Sequence, residues 1–301
     1  MFRNVLHNLL RAKARDTVRR EVEKTVADRV ARDKNAVDRE SENTACDVGI
    51  VFALEIEAGG LIDLLAEPVT LRGRGFVVRR GTLGGRRVAV ATSGAGWDHA
   101  RRAAEALIDG HRPRWIISAG FAGGLSPALA RHDIVMADSL IEMTGSRFTL
   151  DLAVDRSTLS KGVHVGPLLT TERIVRLAEE KRALGEKHAA LAVDTETTAV
   201  AAVCRDRRVP MLAVRVLTDA VDETLPADVQ YLTDQTSHAA RLGAALGTVW
   251  RRPSSVKDLW ALKETALIGS DRLARFLVGL IESLPPSEEK GHEGKTAQIP
   301  R

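Results

Sequence analysis

Aromatic residues make up only 4% of this 301-residue chain, and tyrosine occurs once. A core with so few rings must be packed from Ala, Val, Leu and Ile. Cysteine is as scarce: Cys46 and Cys204 are the two present, and no CxxC occurs. That excludes a disulfide framework and a cysteine zinc site. Neither is flanked by a nucleophile signature, so both read as small apolar core residues. The eight histidines never take metal-ligand spacing, so neither a metal nor a cofactor is expected. No window is apolar for the length of a membrane span. The opening MFRNVLHNLLRAKARD is no secretory signal, because its apolar stretch is short and broken by Asn4, His7 and Asn8. The expected compartment is the cytoplasm.

The formal charge of +4 would suit nucleic acid or an anionic surface. The arginines, however, come in short pairs (Arg79–Arg80, Arg86–Arg87, Arg101–Arg102, Arg207–Arg208) with acids in the same segments. No basic run is interleaved with aromatics, as a single-strand binder needs. Solvated surface is the expected use, and no nucleic-acid partner is expected.

Residues 1–44 hold no Gly or Pro and are dense in Arg, Lys, Asp and Glu. Val5, Leu9, Leu10, Val18, Val22, Val26 and Val30 recur near helical spacing, which makes a narrow apolar stripe. The segment reads as a charged helix that frays into a linker at DRESENTA. A partner-binding helix and a membrane-surface helix over 1–40 are alternatives to it.

From Asp47 the texture changes. DVGIVFAL is a continuous apolar run of the kind a buried strand needs. Further strands are expected at Phe76–Arg79, Arg87–Thr92, Trp115–Ser118, Asp133–Ala137, Val163–Leu169, Leu191–Asp194 and Met211–Leu217. Helical patterns cover His99–Asp109, Glu172–Leu184 and Thr197–Arg205. Strands alternating with helices argue for a mainly parallel sheet covered on both faces. The sheet region ends near Trp250, and Arg251-Arg252-Pro253-Ser254-Ser255 is a break. Val256–Leu284 reads as a helical hairpin on the core, with Leu259, Leu262, Leu273, Phe276, Leu277, Leu280 and Ile281 on its apolar face. The tail from Pro285 has the composition of disorder. The expected organisation is a helical extension over 1–44, a catalytic domain over 45–252, a second helical extension over 253–284 and a tail over 285–301.

If the strands are parallel, five features share one sheet edge. They are Glu55-Ile56-Glu57 after the first strand, SGAGW (Ser93–Trp97, with Gly94), SAGFAGG (Ser118–Gly124), Glu196 and Asp219. Ligands of parallel sheets bind outside the carboxyl ends of strands. Asp and Glu after strands also serve as helix caps, and glycine serves tight turns as readily as ligands. The convergence of glycines with carboxylates is what points to chemistry. SGAGWD lacks the third Gly of a dinucleotide fingerprint, and SAGFAGG lacks the Lys-Ser/Thr of a phosphate loop.

The order DVGIVFALEIEA, SGAG, SAGFAGGLSP, RHDIV, VDTETTAVAAVC and VPMLAVRVLTDA resembles the nucleoside phosphorylase/hydrolase superfamily, and within it the methylthioadenosine/S-adenosylhomocysteine nucleosidases. The resemblance spans roughly 47–250. It implies a three-layer α/β/α fold, often dimeric, that cleaves the N-glycosidic bond of a purine nucleoside without a metal. It also implies roles. Asp219 would protonate N7 of the leaving purine, Glu196 would hold ribose hydroxyls, and Glu57 would position or activate the attacking water. Ser118, Ala119 and Gly120 would lie along the nucleoside. The chemistry is coherent in itself: the leaving base needs an acid raised by burial, and the cationic sugar needs a nearby carboxylate.

Two positions depart from the family pattern. Thr195 stands before the ribose-binding Glu where Met is usual, which points to a different substrate or a looser fit. Trp97 follows the second Gly loop where a smaller residue is usual, and is expected in the core. The purine-stacking ring is not assigned by the sequence: Phe121 and Phe148 are its candidates, and either also fits the core. A phosphate-dependent phosphorylase, including the type acting on adenosylated hopanoid lipids, is the alternative. It would want arginines in the early loops, yet VFALEIEA has none and SGAGWDHA is followed only by Arg101; Arg173 in TTERIV could still reach a phosphate. A nucleoside-binding module without turnover is the second alternative.

Overall fold

The computed structural model describes residues 45–73, 75–151, 156–226 and 254–285. All elements lie in the unit Cys46–Arg301. The expected extension over 1–44, the end of the sheet region near Trp250 and residues 286–301 of the tail fall outside the described residues.

Strand β1 (Val48–Phe52) is buried at every position, which is why its sequence is apolar throughout rather than alternating. It lies between β4 (Arg86–Thr92) and β5 (Trp115–Gly124), parallel to both. Strand β10 (Met211–Asp219) continues the parallel set beside β5, from Met211 opposite Ile116 to Asp219 opposite Gly123. Beyond β4, β3 (Val77–Leu83) and β2 (Ala66–Arg72) add antiparallel strands.

On the other side the sheet curls. Strand β6 (Ile134–Glu142) is antiparallel to β10, and β8 (Val163–Thr170) is parallel to β6. The short β9 (Ala192–Asp194) is parallel to β8 and antiparallel to the far end of β5. Strands β5, β10, β6, β8 and β9 thereby close a ring, and β7 (Arg147–Thr149) pairs with β6 outside it. The ladders divide evenly between parallel and antiparallel, a more mixed sheet than the alternating pattern implied, but β4, β1, β5 and β10 all run the same way.

Helices cover both faces. On one, α2 (Trp97–His111) and α4 (Thr197–Arg207) bury Ala100, Ala104, Leu107, Ala199, Val200 and Val203 against Val51, Ala89 and Ile116. Cys46 and Cys204 belong to this core, and burial pushes both thiols up to about 12. On the other face, α1 (Glu55–Ile62) and α5 (Ser254–Ser283) pack Ala58, Leu61, Leu273, Leu277 and Ile281 on Ile50, Phe52, Val90 and Ile117. Helix α3 (Ala178–His188) precedes β9.

Several elements differ from expectation. The segment after 254 is one helix of 30 residues, not a hairpin. Leu273, Leu277 and Ile281 recur every fourth residue, so one unbroken face seats on α1 and the sheet. Strand β5 does not end at Ser118 but runs on through SAGFAGG, because β10 and β9 keep pairing with it. Neither α1, with Gly59 and Gly60 inside it, nor β2, exposed at all seven positions, had a period to reveal it. Among the described residues no helix is long and apolar enough to cross a membrane.

Candidate active site

The site forms where β1 stops short of its neighbour. Strand β1 ends at Phe52, while β5 runs on past Ser118. The uncovered edge of β5 has donors to satisfy, and α1 supplies an acceptor. Glu57 Oε1 accepts from the Phe121 amide at 2.9 Å, and Oε2 accepts from the Leu54 amide at 2.8 Å. Gly120 makes room for it: a Cβ there would lie 3.0 Å from Oε1. Glu57 is 6% exposed. Burial raises its carboxyl to about 7, against the lowering pull of the two amide hydrogen bonds.

Glu196 arrives by another route than expected. Strand β9 is antiparallel to β5, so its carboxyl end is not at the common edge. But β9 pairs with Gly123 and Gly124 and points back along β5, which returns Glu196 to the level of Gly120. Glu196 caps α4, and its Oε1 accepts from the Gly96 amide at 2.8 Å. Gly96 has φ +107, a conformation that side chains resist. Burial raises the Glu196 carboxyl, and the neighbouring Asp194 charge adds to this. The Gly96 amide and the Thr195 side chain pull the other way.

Glu57, Glu196, Ser118, Ala119, Gly120 and Phe121 line one cavity, with Arg215 at its wall. Gly94 lies beside it, its amide donating to the Ala53 carbonyl at 2.8 Å. Arg215 is a residue that the sequence reading passed over. It is 3% exposed, and its guanidinium donates to Asp194 Oδ2 at 2.7 and 3.0 Å, to the Ser118 hydroxyl at 2.9 Å and to Thr197 Oγ1 at 2.6 Å. Asp194 also accepts from Thr170 Oγ1 at 2.8 Å. One buried ion pair therefore ties β5, β8, β9, β10 and α4 together beneath the cavity. A charged residue between Val214 and Val216 in an apolar strand was the signal for it.

Asp219 is not among the residues lining that cavity. It closes β10 opposite Gly123, where a Cβ would lie 3.2 Å from Oδ2. Two residues of strand, roughly 7 Å, separate this point from the Phe121 amide that holds Glu57. Asp219 is 1% exposed and its carboxylate pairs with the buried Lys181. Burial pushes its carboxyl up while Lys181 opposes.

The remaining candidates separate. Phe121 lines the cavity, whereas Phe148 packs on the α4 core and carries Arg205 over its ring at 5.3 Å. Trp97 is not in the core: it is 47% exposed in the first turn of α2, past the end of β4. Glu55 is held by Arg79 at 3.0 Å and by Thr92 Oγ1 at 2.7 Å. Arg101 pairs with Glu105, and Arg173 with Glu180. Among the described residues no group of three or more His, Cys, Asp or Glu could hold a metal ion.

Buried carboxylates from α1, the start of α4 and the end of β10 gather along a glycine-bearing strand at the centre of a parallel set, and comparison with known proteins gives the class. Residues 47–249 match the phosphorylase superfamily, and the chain belongs to that family. In sequence it is similar to the 5'-methylthioadenosine/S-adenosylhomocysteine nucleosidase of Shewanella sediminis. The two are 27% identical over 226 residues, which span 66% of this chain and 97% of that one. In fold it is similar to the S-adenosylhomocysteine nucleosidase of Streptococcus pyogenes in complex with 5-methylthiotubericidin. The TM-score is 0.62 at 20% identity, over 80% of this chain and 98% of that one. The futalosine hydrolase of Helicobacter pylori gives a TM-score of 0.60 at 18% identity, over 79% and 97%.

Proposed function

We propose that the protein hydrolyses the N-glycosidic bond of a purine nucleoside, with water as nucleophile. The observation that carries this is the meeting of Glu57 and Glu196 over Ser118–Gly120 of β5, with Asp219 at the end of the neighbouring β10, opposite Gly123. A nucleoside lying along β5 would place its ribose between the two glutamates and its base toward Asp219. Glu196 would accept from ribose hydroxyls and stabilise the positive charge that develops on the sugar. Glu57, raised to about 7, is tuned to take a proton from water near neutrality. Asp219 would give its proton to N7 as the C1′–N9 electron pair passes to the purine, and the water oxygen would bond C1′.

Water is preferred to phosphate because Arg101 is engaged by Glu105 on its own helix and Arg173 by Glu180 on the helix that follows its loop. In this reading residues 45–252 form the catalytic domain and α5 is its support. The protein works as a cytoplasmic homodimer, a state that light scattering on the purified chain measures. Thr195, half-buried beside Glu196, stands where the nucleosidase pattern has a larger side chain, which leaves a looser fit around the nucleoside.

Incubation with methylthioadenosine, S-adenosylhomocysteine, adenosine and inosine, with and without phosphate, tests the activity. Free base without phosphate is the expected result; strict phosphate dependence would make it a phosphorylase, and no base in either condition a binder. Asp219→Asn should lower turnover by about 10²- to 10⁴-fold while nucleoside affinity stays within a few-fold. Near wild-type turnover in that variant would remove Asp219 from the mechanism.

A further inference from the structure

Helix α3 sends one charged side chain inward. Lys181 is 0% exposed, and an ammonium leaves water only where partners meet its donors. Its Nζ donates to the Asp219 carboxylate, to the Ala220 carbonyl at 2.9 Å and to the Glu223 carbonyl at 2.7 Å. The lysine thus binds both the acid and the turn that follows it.

The other groups facing Asp219 are few. The Thr218 hydroxyl donates to Oδ1 at 2.8 Å. The Glu223 carboxylate stands nearby, itself held by Arg131 at 2.7 Å and by the Ala220 amide at 3.1 Å. From β5 the neighbour is Gly123, which has no side chain. Lys181 is the one cation in direct contact with the carboxylate among these groups.

A fully enclosed acid keeps its proton too well, because its anion is desolvated. A weak acid of that kind is a slow donor. We propose that Lys181 is a positioning residue that makes Asp219 a usable proton donor, by neutralising and fixing the carboxylate left when the proton departs. This rests on the nucleosidase reading above. In the step, the Asp219 O–H bond breaks as N7–H forms, and the C1′–N9 pair goes to the purine. The resulting anion is left against Lys181 Nζ, which donates to it, and solvent returns the proton between turnovers. The opposing influences of burial and Lys181 on the Asp219 carboxyl agree in direction with this role.

The test is the pH profile of kcat/KM for wild type, Lys181→Met and Lys181→Arg, with folding checked by circular dichroism. The alkaline limb reports loss of the donor proton. It should move up by about one pH unit or more in Lys181→Met, with a plateau at least about tenfold lower, and stay in place in Lys181→Arg. Equal rate loss in both variants with an unmoved limb would make Lys181 merely structural and overturn the proposal. If Lys181→Met does not fold, the unmodified protein decides: the ¹⁵N resonance of Lys181 Nζ should step at the pH of the alkaline limb, and a flat resonance overturns it. If wild type releases no base from any nucleoside, the nucleosidase reading fails separately. The ¹³C titration of the Asp219 carboxyl, compared between wild type and Lys181→Met, then still reads the effect of Lys181, and equal midpoints overturn it.

Discussion

Because Glu57 is enclosed between α1 and the edge of β5, its carboxyl takes up a proton more readily in the folded chain than in the unfolded one. Its value rises from 4.5 to about 7. Between those values the folded state binds more protons at this position, so stability falls as pH rises through the window. The full shift is worth roughly 3 kcal/mol. Thermal melts across this range should show a slope that is flatter in Glu57→Gln. The same substitution should cut turnover by about 10²-fold or more. An unchanged slope would assign the titration to another buried acid. Glu57 and Glu196 were legible because each follows an apolar strand-like run at the start of a helix. Lys181 was not: in AEEKRALGEKH nothing separates it from Arg182 or Lys187. Arg215 was readable in principle, since an arginine inside VRV needs a buried partner, but that partner, Asp194, lies on another strand.

At the scale of elements, the helix outside the 47–249 family match supports Glu57 through its neighbour. Ser270 on α5 is 2% exposed; its hydroxyl donates to the Glu57 carbonyl at 3.2 Å and accepts from the Gly60 amide at 3.0 Å. Helix α5 thereby fixes the height of α1, and α1 carries Glu57. Leu277, 0% exposed, sits in the stripe that seats the helix. Leu277→Ala should destabilise by about 2–5 kcal/mol, measured by urea unfolding. A loss below about 1 kcal/mol would mean that the helix is only loosely attached. Long amphipathic or apolar elements such as α2, β1 and β10 could be read from period and composition. Those that could not be read lacked a face: β2 is exposed throughout, and α1 is interrupted by two glycines. The glycines of SAGFAGG mimic a loop in sequence. In space they are strand positions, and at Gly120 and Gly123 the carboxylates of Glu57 and Asp219 occupy the room of the absent side chain.

At the scale of the molecule, alternation of strand and helix was enough to give a sheet covered on both faces. It could not give the curl, because whether β6, β8 and β9 turn back on β5 depends on pairings distant in sequence. The curl is also why Glu196 reaches the site from an antiparallel strand. Ring closure has a further effect on β5, which is paired with β1 and β9 on one side and with β10 on the other. Its amides cannot open without breaking ladders on both flanks, so deuterium uptake should be slowest around Ile116–Ala119 and fast across β2. Early exchange at β5 would show that the ring does not hold. Under mild denaturation, then, the periphery would loosen first and the strand around which the carboxylates gather last, so partly melted molecules would keep the arrangement of their acids until the final cooperative step.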